Sequence, residues 1–174
     1  MTEKQKVFTK WLFIIGIALC IAIAIVQAVT YLGTNSVTDA INAQPDRFPE
    51  KFGLEIGFGM AIMIIYSSIS LAFFIAILIP TALMKRASLR KGKVTKADIV
   101  LSCLLVVVGI PSFIFEASCI DTILYALSYG IGAIWLPFVI VFFVQLAYVI
   151  ACIVHLFVCR KKKDLPQNPT EAES

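Results

Sequence analysis

The sequence predicts an all-α integral membrane protein, four transmembrane helices in a compact bundle with both termini cytoplasmic, and three observations carry that prediction. Apolar residues make up 60% of the 174, against roughly 45–50% in a soluble domain, and the mean hydropathy is +0.93. They gather into four stretches of spanning length. Lys and Arg fall almost wholly in alternate segments between those stretches.

The stretches run from about 11 to 32, 54 to 83, 99 to 118 and 131 to 159. Each meets the requirement of roughly 20 residues for a helix crossing about 30 Å of hydrocarbon, the third only marginally if it stops at Phe115. Helices are expected because the runs are continuous, not alternating as in a membrane barrel. The second and fourth are longer than needed, which implies tilt. Pro80 is expected to end or bend the second, and Pro111 and Pro137 to kink the others. The first stretch follows a basic segment, and Val26-Gln27-Ala28 loosely fits a cleavage site. Its apolar run exceeds the 7–15 residues of a signal peptide, so a retained helix is expected.

Between the stretches lie an outer loop at 33–53, a basic linker at 84–97 and a tail at 160–174. Thirteen of the 15 Lys and Arg sit at the amino end, in the linker (Lys85, Arg86, Arg90, Lys91, Lys93, Lys96) or in the tail. Arg47 and Lys51 are the exceptions. The positive-inside rule therefore puts both termini and the linker in the cytoplasm, and a plasma or bacterial cytoplasmic membrane is expected over an internal one. The net charge of +4 is thus a topology signal and predicts no nucleic-acid partner. The linker is basic enough to lie against anionic headgroups. No stretch outside the membrane is long enough for a second domain.

In the third stretch Asp98, Ser102, Leu105, Gly109, Ser112, Glu116 and Cys119 recur at spacing 4-3-4-3-4-3, which aligns them on one helical stripe. Small and polar side chains in a lipid-embedded helix face other helices, so this stripe is expected to look inward. Gly16, Cys20, Ala24, Gln27 and Tyr31 suggest an inward face of the first helix. Gly53, Gly57, Ser68, Ala72 and Ala76 do so for the second, and Gln145, Tyr148, Cys152, His155 and Cys159 for the fourth. Asp98, Ser102, Ser112, Gln145 and His155 are the polar members expected inside the bundle.

Glu116 stands out as a candidate proton or ion site with Gln27, because an ionisable group inside a membrane is costly unless paired or protonated. The plainer reading is a solvated residue just past a helix end. Arg47, Lys51 or Gln27 are its expected partners. Cys152, His155 and Cys159 have the residue types of a soft-metal site, but residues seven apart on one helix lie about 10 Å apart. No metal or cofactor is expected. With one histidine and no nucleophile, phosphate-loop or metalloprotease motif, no enzyme is expected either. The expected activity is helix contact with another membrane protein or with itself, as an accessory subunit, membrane organiser or immunity-type protector. The alternative is a small oligomeric transporter or channel using Glu116.

Overall fold

The computed structural model describes residues 1–43, 50–131 and 133–160, with side chains at all of these except 50–56, 66 and 159–160. Helix α1 spans Glu3–Ala43, α2 Glu50–Lys91 and α3 Lys96–Ser128. One 3₁₀ turn at Ala133–Trp135 leads into α4, Leu136–Arg160. All four helices are long and apolar enough to cross a membrane. They run up and down in turn, and each packs on its two neighbours, α1 on α2 and α4, α3 on α2 and α4. Among the described residues the diagonal pairs make no close backbone approach. The end holding Met1, the α2–α3 turn and Arg160 is called the terminal end below, the other the distal end.

The helices outrun the expected spans. Most of the segment read as an outer loop is helical, since α1 continues to Ala43 and α2 begins at Glu50. Likewise the linker at 84–97 is mostly helix, leaving only residues 92–95 to turn the chain. Gly92 makes that turn at φ +63°, a region open to glycine. Thr95 then caps α3, its hydroxyl accepting from the Asp98 N–H at 3.2 Å, with Asp98 placed favourably in the first turn. Pro80 and Pro111 lie inside continuous helices, and Pro137 sits in the first turn of α4, where its missing N–H costs nothing.

The α3 stripe is buried along its full length, from Asp98 to Cys119 and on through Ile123 and Ala126. On α4 Gln145, Tyr148, Cys152 and His155 are buried as expected, and Cys159 lies outside the described side chains. The other two faces were misplaced. On α1 the buried stripe is Thr9, Leu12, Gly16, Leu19, Ile23, Val26, Thr30, Gly33 and Val37, so of the expected set only Gly16 is buried. Tyr31 is 59% exposed. On α2 Ala72 and Ala76 face outward, while Met63, Ser67, Phe74, Leu78, Thr81 and Lys85 are buried. Both helices are apolar all round, so small residues alone do not mark the packed face.

Glycines fix the close approaches. A Cβ on Gly16 would stand 2.6 Å from the Tyr148 hydroxyl and 3.0 Å from the Ala82 Cβ, and one on Gly33 would stand 2.5 Å from Ile134. The core between the helices is filled by Trp135, Phe74, Leu12, Ile23, Met63, Leu78, Leu105 and Ile123. The exterior is as apolar as the core: Phe58, Phe157, Val100 and Val107 are all more than 60% exposed. Several polar and charged side chains, Lys85, Asp98, Glu116 and Gln145 among them, are instead buried inside.

Candidate functional site

The buried polar side chains form two layers. In the terminal layer the Lys85 ammonium of α2 pairs with Asp98 Oδ1 of α3 at 2.6 Å, both side chains fully buried. Lys85 Nζ also donates to Ser102 Oγ at 3.0 Å and meets His155 Nδ1 of α4 at 3.2 Å. Its three hydrogens thus have three acceptors. The second Asp98 oxygen accepts from Ser88 Oγ at 3.0 Å. Thr9 of α1 lies 2.8 Å from His155 Nε2 and spends its hydroxyl hydrogen on the Gln5 carbonyl at 2.7 Å. His155 therefore donates from Nε2 to Thr9 and accepts at Nδ1 from Lys85, which fixes one neutral tautomer.

This layer ties all four helices together, α2, α3 and α4 through charge-assisted bonds of Lys85 and Asp98 and α1 through the neutral His155–Thr9 bond. It corrects one expectation. Lys85 is no headgroup-facing linker residue but a fully buried partner of Asp98, because α2 runs past it to Lys91. His155 has both ring nitrogens engaged by Thr9 and Lys85, so it is not presented to a metal. Among the described residues, no group of three or more His, Cys, Asp and Glu is placed to hold a metal ion.

The distal layer is built differently. Glu116 is in mid-helix and only 1% exposed, which excludes a solvated position beyond a helix end. Its Oε1 accepts a long 3.4 Å bond from Ser112, one turn below, and its Oε2 has no hydrogen-bond partner. Ser67 Oγ, Thr30 Oγ1 and Trp135 Nε1 are buried and equally unpartnered.

Helix register brings these four to a common height. Gly59 packs on Thr122 and Thr81 donates to the Leu101 carbonyl, so in the antiparallel α2–α3 pair Glu116 stands opposite residues 65–67. Gln27 donating to Ser68 at 2.6 Å sets Thr30 at the same level of α2. Gly33 meets Trp135 across the α1–α4 contact, within a turn of Thr30. Gln27 is therefore bound to Ser68 and not to Glu116, and Arg47 and Lys51 fall outside the described side chains.

Between the layers Gln145 is buried with its Oε1 unmet. Gln27 and Ser68 instead edge an outward groove between α1 and α2, about 480 Å³, lined by Ala24, Ala28, Ala72 and Leu71 among others. Gln27 Oε1 is itself buried and without a partner. Reading the sequence alone missed Lys85, Thr9, Ser88, Ser67, Thr30 and Trp135. A signal existed for Thr9, Lys85 and Ser88: in each helix they sit at steps of three or four from other buried positions, but a basic flank hides that periodicity. No protein-family model, no curated protein and no solved structure matches the chain.

Proposed function

We propose that this chain is a non-enzymatic multi-pass membrane protein, with both termini cytoplasmic, that acts through helix contacts with a partner membrane protein as an accessory subunit, organiser or immunity-type protector. The apolar exterior supports bilayer insertion. On α1 exposed Trp11 and Tyr31 lie 20 residues apart, about 30 Å at 1.5 Å per residue, the spacing expected of interfacial anchors on a hydrocarbon slab. The described Lys and Arg side chains sit at the terminal end, which supports a cytoplasmic placement of that end.

The observation that carries the partner reading is the groove between α1 and α2. Small side chains on both walls, Ala24 and Ala28 against Ser68 and Ala72, let a third helix approach closely. The expected occupant is a transmembrane helix of another protein with small side chains at that depth, which the alanines on both walls would admit to close packing. The test is purification of the tagged chain from its native membrane in mild detergent, with mass and stoichiometry determined for wild type and for Ala28→Trp and Ala72→Trp. A different membrane protein held stoichiometrically by wild type and lost from both variants is expected. Retention by both variants, or a monomer alone, refutes this reading.

A second reading, a small oligomeric transporter or channel, is supported by Glu116. It predicts a homo-oligomer and flux that requires this carboxyl. Against it, Glu116 faces the bundle's own interior, so a pathway between protomers would not meet it without opening the four helices.

A further inference from the structure

The distal layer assembles, from all four sides of the bundle, the parts of a site for a proton. Glu116 from α3, Ser67 from α2, Thr30 from α1 and Trp135 from the turn before α4 each place an unpartnered buried polar atom at one height. Every Lys and Arg side chain that is described lies at the terminal end. The nearest along the register, Lys85, stands opposite Asp98 and Ser102, at least 14 residues or about 21 Å below Glu116. Among the described side chains the other titratable neighbour is Cys119, buried one turn above on the same helix; Tyr66 of α2, at this height, lies outside the described side chains. From α1, α2 and the α4 side, the described groups at this height are neutral.

An ionised carboxylate has about four lone-pair sites to satisfy. Here it would have one hydroxyl at 3.4 Å and no counter-charge, a cost of several kcal/mol in an apolar core. A metal cation would meet the Trp135 N–H, a donor that repels it. A neutral acid suits the set: its O–H can serve the Ser67 or Thr30 hydroxyl, and its carbonyl oxygen can accept from an N–H or O–H. The contrast with Asp98, which has an ammonium and two hydroxyls, is a difference in chemistry between two carboxyls on one stripe. We infer that Glu116 is a proton-binding site, a carboxylic acid held neutral at physiological pH by burial without a counter-charge, at the height where Ser67, Thr30 and Trp135 bring unpartnered polar atoms.

This inference deepens the transport reading but is measured without flux, so the two fail separately. The probe is infrared spectroscopy of the full-length protein in lipid, with and without ¹³C-glutamate, from pH 5 to 9. At pH 7 solvated carboxyls are ionised, so a carboxylic acid carbonyl band worth about one group per chain, shifted by the label, is expected. It should be lost in Glu116→Gln and fade only in alkaline buffer. A spectrum at pH 7 with no labelled acid band overturns the inference, and this readout needs no variant. The same band persisting in a folded Glu116→Gln overturns it too. Loss of the band at constant pH when choline is replaced by sodium would identify a cation site instead, and equally overturn it.

Discussion

Cutting the Lys85–Asp98 pair tests whether the terminal layer holds the bundle together. In Lys85→Met the chain loses an ammonium bonded to three acceptors on two other helices and leaves Asp98 buried with only hydroxyl donors. Removing one partner of a fully buried ion pair costs about 3–5 kcal/mol, most of it the stranded charge. The lost bonds to Ser102 and His155 are part of that figure, each about 1 kcal/mol on its own. Asp98→Leu should cost a similar amount, with Lys85 stranded in its turn. The double variant Lys85→Met/Asp98→Leu strands neither charge, and a well-packed apolar pair often does as well as the ions it replaces. It should therefore lie within about 2 kcal/mol of wild type, a strong coupling between the two sites. Reversible unfolding in mixed micelles, followed by the fluorescence of fully buried Trp135, supplies the three free energies. Single substitutions that each cost under about 1 kcal/mol and simply add would refute the reasoning, because that is how a solvated surface pair behaves.

The other predictions concern neighbouring features. His155→Phe removes one of three acceptors from Lys85 and the partner of Thr9, so it should destabilise by about 1–3 kcal/mol, less than Lys85→Met in the same unfolding assay. Gly16→Val, whose Cβ would stand 2.6 Å from the Tyr148 oxygen, should cost about 1–3 kcal/mol by overpacking and broaden the unfolding transition. Gly57→Ala, which meets nothing within 4 Å, should instead leave stability unchanged or raise it by up to about 1 kcal/mol through helix propensity.

The contents of α3 were readable from the sequence because its polar residues are few and strictly spaced. In an apolar helix each polar group must point at a partner, so the stripe from Asp98 to Cys119 names its own buried face. The same logic worked for Gln145 and His155. It failed on α1 and α2, where glycines, alanines and serines occupy several faces and cost little in any direction. Ala72 and Ala76 share a face with Ser68, yet that face borders the groove while Ser67, one position earlier, points inward.

By itself, then, the sequence determined the number of helices, their up-and-down order and the inward stripe of α3, since apolar run length, short connections and polar spacing are local properties. Only the tertiary structure decided which charges are paired and which are alone. Lys85 and Asp98 lie 13 positions apart, on separate helices joined by a short turn, and become neighbours only because α2 continues past Lys85 and α3 returns antiparallel to it. Glu116 lies on the same stripe as Asp98 with the same apolar flanks. Its isolation is set by what three other helices bring to its height, two hydroxyls and an indole in place of an ammonium.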